Sequence, residues 1–200
     1  HLVATIRRQS KEYEINFEDG LKTSELKEIG SVGQRNTGTT IKFKPNSKYF
    51  ETLNVDSKKL IHLLKAKAVL CPGLKIDFAD ENNKYKETWK YDDGLKTYLK
   101  ESALDEDFIL EDSIISSNKN HEHEVEFIIN WVEKITQKKI DETYVNLIPT
   151  PQGGSHLNGF KTGLLDSLRE FCEYRNLLPK GIKINAEDVL NNASFIVSSK

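Results

Sequence analysis

Hydrophobic and polar positions alternate along the first fifty residues, and beyond Val55 stretches of helical period join the alternation. Leu2 to Arg8 and Tyr13 to Phe17 each alternate, with Gln9-Ser10 between them as a hairpin turn. Thr39-Thr40-Ile41-Lys42-Phe43 alternates again and stops at Pro45. Three strands with so little helix cannot bury a core alone. They are expected to form part of a sheet with an open apolar face that includes Ile15, Phe17 and Phe43. From Asp56, as N-cap, the spacing predicts a helix to about Leu70, closed by Pro72-Gly73. Its projection puts Leu60, Leu63, Leu64, Ala68 and Cys71 on one face and Lys58, His62 and Lys65 on a separate stripe. Lys67 falls inside the apolar arc, and the plain reading is a stem laid on the core with its ammonium turned outward.

Leu74 to Phe78 and Tyr85 to Tyr91 alternate on either side of Asp80-Glu81-Asn82-Asn83, a hairpin signature. A short helix is expected from Asp93 to about Glu101. The stretch from Leu104 to Glu124 has a weak period and reads as a surface loop with at most short ordered pieces. Val125 to Val132 reads as a strand carrying Trp131, and Tyr144 to Ile148 as another, ending at Pro149. Gly153-Gly154-Ser155 opens the longest helix, with Ser155 as N-cap, to about Asn176. Leu157, Phe160, Leu164, Leu168 and Phe171 form its core stripe. Ala186 to Leu190 gives a further helical turn and Phe195-Ile196-Val197 a closing strand. This order predicts an α/β (α+β) fold with helices on one face of a mixed sheet.

Charged residues at 30% and hydrophobic ones at 37% exclude collagen-like and low-complexity classes. No apolar run reaches the roughly 18 residues of a membrane span. The chain opens on His1 and contains no Met, as a piece of a larger protein would. Cys71 and Cys172 lie far apart in apolar surroundings and read as buried thiols of a reducing compartment. The net charge of −2 excludes a surface that is basic everywhere, yet charge is uneven. Glu101, Asp105, Glu106, Asp107, Glu111, Asp112, Glu122, Glu124 and Glu126 stand against Lys119 alone, so any nucleic-acid contact is confined to one face.

The chemical signals are sparse. Gly153-Gly154-Ser155-His156 offers backbone N–H groups at a helix start but lacks the Lys-Ser/Thr pair of a phosphate loop, so a tight turn is the simpler reading. His121-Glu122-His123 has no third ligand nearby and reads as solvated side chains rather than a metal site. A nucleophile elbow, a dinucleotide fingerprint and a metalloprotease pair are all absent.

Several segments resemble the B subunits of bacterial type II topoisomerases. They are Arg35 to Pro45, Leu64 to Gly73, Tyr144 to Thr150, Gly153 to His156 and Glu170 to Pro179. They look more like the topoisomerase IV branch than the gyrase branch, which differs in both cysteine-bearing stretches. The resemblance covers nearly the whole chain and is weakest from Leu104 to Glu124.

The resemblance implies two parts. Residues 1–50 would be the last strands of an incomplete GHKL ATPase domain. Residues 51–200 would be the transducer domain, with a left-handed βαβ crossover and without its Gln-Thr-Lys loop. It further implies that the general base and Mg2+ ligand lie outside this stretch, so that no catalytic residue and no metal ligand is expected within it, and the isolated chain is expected to be inactive. Thr39 matches the family's threonine beside the adenine pocket, Ile41 an apolar wall of that pocket and Arg8 an arginine at its mouth. Lys161, behind Gly159-Phe160, matches a basic position lining the cavity through which DNA passes. The whole protein would use ATP and Mg2+, dimerise on ATP binding, and act on DNA in the cytoplasm with the A subunit of topoisomerase IV. The gyrase equivalent of this B subunit, or a stand-alone interaction module of the same fold, are the alternatives.

Overall fold

The computed structural model describes residues 1–102, 108–133 and 139–200, and places them in two compact units, His1–Asp56 and Ser57–Lys200. In the first, β1 (Leu2–Arg8) turns into β2 (Lys11–Glu18) through Gln9 and Ser10, whose φ angles of 53° and 62° are both left-handed. Such a pair matches the twist of the flanking strands. The short strands β3 (Leu21–Lys22) and β4 (Lys27–Ser31) both pair with β2, and β5 (Gly38–Phe43) runs antiparallel to β1. Neither β3 nor β4 is foreshadowed by alternation in the sequence.

The register assigns the faces. Leu2 lies opposite Phe17 and Phe43, Ala4 opposite Ile15 and Ile41, and Ile6 opposite Tyr13 and Thr39. Paired residues point the same way, so these side chains make one apolar face. Nothing in this unit covers it. Ala4 is the single buried residue of 1–56, Ile15 and Phe17 are half-buried, and Phe43 is 67% exposed.

The second unit begins with α1 (Ser57–Leu70) and a separate hairpin, β6 (Ile76–Asp80) with β7 (Tyr85–Trp89). After α2 (Leu95–Ser102) come β8 (Ile114–Lys119), β9 (Glu124–Trp131), β10 (Asp141–Val145) and β11 (Ile148–Pro149). Then α3 (Ser155–Tyr174) and α4 (Ala186–Leu190) lead to β12 (Ala193–Ser199). The strands order as β11-β10-β12-β9-β8. Among the described strands only β10 and β12 are parallel, so the sheet is mixed, and α3 and α4 form the crossover between them.

Helices cover both faces of this sheet, where the pattern predicts one. Ile128, Tyr144 and Ile196 pack with Val69 of α1 and with Leu95, Tyr98 and Leu99 of α2. The alternate residues Ile129, Phe195 and Val197 pack under Leu157, Phe160 and Leu164 of α3 and Leu190 of α4. A central strand buried on both sides shows no alternation of apolar and polar positions, which is why Phe195-Ile196-Val197 form a continuous apolar run in the middle of β12, with Ser194 and Ser198 buried beside it.

Other expectations change in detail. The stretch predicted as a loop contains β8, an edge strand whose six residues are all exposed, so no burial pattern marked it. Its residues 103–107 lie outside the described part. Asn130, fully buried in β9, holds the lead-in to β8: its amide donates to Leu110 O at 2.9 Å and to Ser113 Oγ at 3.0 Å, and its oxygen accepts from Leu110 N. Tyr144 to Ile148 is not one strand, because Asn146 and Leu147 turn left-handed at φ 49° and 66° and separate β10 from β11. Leu63 is exposed, and Ile61, Leu64, Ala68 and Val69 form the inner face of α1 instead. Gly154, not Ser155, is the N-cap of α3, and no side chain caps that end. Phe171 is 50% exposed, so the stripe on α3 is packed only along its first half. Cys71 and Cys172 are unpaired and half-buried rather than buried.

Candidate functional site

In the first unit the three pocket candidates share a face. Thr39 stands opposite Ile6 and Ile41 opposite Ala4, while Arg8 follows Ile6 by two residues and so points the same way. They present a hydroxyl, a branched apolar wall and a guanidinium along one open surface, with Ile41 54% exposed. Arg7 points to the opposite face and donates to Thr40 Oγ1 at 3.2 Å. A cavity of about 420 Å³ opens at the other end of the apolar face, lined by Leu2, Phe17, Phe43, Pro45, Tyr49 and Phe50. The sheet therefore offers an open, largely apolar binding surface.

In the second unit Lys161 lies in the second turn of α3 and is half-buried. Phe160 beside it fixes that turn, with its ring 5.1 Å from Phe127 and 5.3 Å from Phe195. On the sheet side of α3 runs an apolar groove of about 610 Å³, walled by Val125, Phe127 and Trp131 and by Gly159, Gly163 and Leu164. The start of the helix is secured at Gly153, whose N–H donates to Thr150 O at 2.8 Å, and at His156, whose Nε2 lies 3.2 Å from Thr150 Oγ1.

Ionisable groups gather where α1, α2 and β10 meet. The Glu142 carboxylate accepts from Tyr144 OH at 2.6 Å and from Tyr98 OH at 3.1 Å, with His62 Nε2 3.6 Å away. Burial raises both phenols far above the ordinary tyrosine value, and the charge of Glu142 raises them further. Lys65 pairs with Glu101 at 3.2 Å. Lys67, the cation inside the apolar arc, donates to the carbonyl of Leu147 rather than turning to water. Sequence reasoning missed both Glu142 and this lysine's partner, since the Tyr98–Glu142 and Lys67–Leu147 contacts join residues 44 and 80 positions apart. Where α1 begins, Ser57 Oγ donates to Asp80 Oδ2 at 2.6 Å, and this bond, with those from Asn83, lowers the Asp80 carboxyl to about 2. His121, Glu122 and His123 sit exposed in the β8–β9 turn, where Asn120 Oδ1 accepts from the backbone of the latter two. Among the described residues no three His, Cys, Asp or Glu side chains come together as metal ligands would.

The family model described as DNA gyrase B matches residues 94–200, more than half of the sequence. The chain belongs to the DNA gyrase B family. Within that family it is 43% identical, over 98% of its length, to the B subunits of DNA topoisomerase 4 from Pseudomonas aeruginosa and from Escherichia coli. Identity to the B subunit of DNA gyrase from Helicobacter pylori is 32% over the whole chain. The chain spans about a third of the curated topoisomerase subunits it matches, 31% of each of the first two. It is also similar to two solved structures of such B subunits. One is the topoisomerase IV ATP-binding domain of Francisella tularensis with a small-molecule inhibitor, at a TM-score of 0.79 and 40% identity, covering all of this chain and 53% of that one. The other is the 43K ATPase domain of Thermus thermophilus gyrase B with an aminocoumarin, at 0.79 and 29%, covering 54% of that chain. Among the described residues, no helix of this family member is long and apolar enough to cross a membrane.

Proposed function

We propose that this chain is the part of a topoisomerase IV B subunit that joins the ATPase domain to DNA strand passage. Family membership, with higher identity to topoisomerase IV relatives than to gyrase, is the observation that carries the reading. The first unit contributes one wall of the nucleotide site. Thr39 would bond the adenine edge through its hydroxyl, Ile41 would pack on the base and Arg8 would close the mouth. Their shared, uncovered face supports that assignment. ATP, when bound, supplies the energy for clamping. Mg2+ would be held by groups other than these three wall residues, none of which has the carboxylate or amide oxygen it prefers.

The second unit is then the transducer, a rigid layered body between nucleotide and DNA. Lys161 would meet the DNA backbone, as a cation that neutralises phosphate without reading sequence. Two such B subunits would dimerise on ATP and work with the A subunit of topoisomerase IV on DNA in the cytoplasm. The test is to assemble the full-length subunit with its partner and supply supercoiled, relaxed and interlinked circular DNA with ATP. Decatenation and relaxation without negative supercoils fit topoisomerase IV, whereas accumulation of negative supercoils assigns the chain to gyrase.

A further inference from the structure

Lys67 and Leu147 make a contact that neither the nucleotide wall nor the DNA-facing helix accounts for. Lys67 is half-buried on α1, and its ammonium donates to the Leu147 carbonyl. Leu147 sits in the β10–β11 turn at φ 66°, beside Asn146 at 49°. Asparagine tolerates that region, but a leucine there is strained and persists only where its surroundings over-determine it. Two groups do so here. The Leu147 side chain packs against the core beneath α1, and Lys67 grips its backbone.

The turn leads directly to α3. Two residues of β11 connect it to Thr150, which Thr143 holds through Oγ1 to Thr150 O at 2.9 Å. Thr150 in turn holds Gly153 and His156 at the first turn of α3, and Lys161 follows about one and a half turns later. At the other end, α1 is the first element after the first unit in the chain. A continuous series of hydrogen bonds and short backbone therefore runs from α1 to the helix that carries Lys161.

We propose that Lys67 is a positioning residue that holds the strained Leu147 turn, and through it the start of α3, to α1, so that displacement of α1 by the nucleotide-bound state reaches the DNA-facing helix. The inference rests on the transducer reading above. A lysine suits the task because its flexible stem and three donors can keep one carbonyl bonded while helix and turn shift. A residue needed only to cover the core would work as well without its charge.

The test uses the full-length subunit with its partner subunit. Wild type, Lys67→Met and Lys67→Arg are compared for the ratio of DNA-stimulated to basal ATP turnover, with melting temperature recorded alongside. Lys67→Met, which keeps the apolar stem, is expected to lower the ratio by about fivefold while basal turnover stays within about twofold, a size in line with couplings carried by such intermediate positions. Lys67→Arg, which keeps a donor of sufficient reach, is expected to retain about half of the wild-type ratio or more. If Lys67→Met does not fold, Lys67→Gln, too short to reach Leu147, replaces it with the same expectation. A wild-type ratio in the Met or Gln variant, or an Arg variant no better than they are, overturns the inference alone. A wild type without any DNA stimulation overturns the transducer reading, and this inference with it.

Discussion

Phe195 and Ile196 are adjacent in β12, and each is buried in a different core. Phe195, 2% exposed, lies beneath Phe160 of α3, while Ile196, fully buried, lies beneath α1 and α2. Truncating either leaves a cavity, so Phe195→Ala is expected to cost ~3–5 kcal/mol and Ile196→Ala ~2–5 kcal/mol, with Ile196→Val nearer ~1 kcal/mol. Urea unfolding of the chain gives the sizes, and amide exchange separates the sites. Phe195→Ala should lower protection first in α3, Ile196→Ala first in α1 and α2. A common pattern for both would contradict the two-faced packing.

The bond from Ser57 to Asp80 gives the second unit an acid-sensitive point. The folded-state pKa of Asp80 is lowered to about 2 by Ser57 and Asn83, below the ordinary value of 3.8. A lowered pKa means that the stabilisation is fully present above about pH 4 and is lost as pH falls toward 2. Melting temperatures at pH 5 and at pH 2.5 should therefore differ more in the wild type than in Ser57→Ala, in which the largest cause of the shift is gone. An equal fall in both proteins would show that the bond does not contribute in solution.

Lys161 is expected to act on DNA as a charge rather than a shape. In the full-length subunit, Lys161→Ala should remove about one phosphate contact and lower the magnitude of the log–log salt slope of DNA binding by about one. Lys161→Arg should restore the slope, since a single phosphate needs only a cation. A slope unchanged by the alanine, or not restored by arginine, would return Lys161 to the status of a lysine lying along its helix.

Regularly patterned elements could be read from the sequence because burial wrote the pattern. The hairpin around Asp80 to Asn83 and the first half of the α3 stripe turn one face to a core, and the hairpin around Gln9-Ser10 gathers its apolar residues on one face, so their periods survive. β8 could not be read, because an exposed edge strand has no face to hide. Two-sided cover of β12 left its run of Phe195, Ile196 and Val197 without a direction, and helices were expected on only one side. The turn at Asn146-Leu147 was hidden for a local reason: leucine carries no turn signature, and its left-handed conformation is sustained by tertiary contacts. The candidate residues Arg8, Thr39, Ile41 and Lys161 came from family resemblance. The strand register supplied what the resemblance lacked, a common face for the first three.

The proposed role makes this chain part of a machine that uses ATP to pass one DNA duplex through another. The most direct measurement is strand passage on interlinked DNA circles, with the full-length subunit joined to its partner. Circles are expected to separate when ATP and Mg2+ are both present and to stay linked when either is withheld. Separation that proceeds equally without ATP, or no separation under any condition, would contradict it.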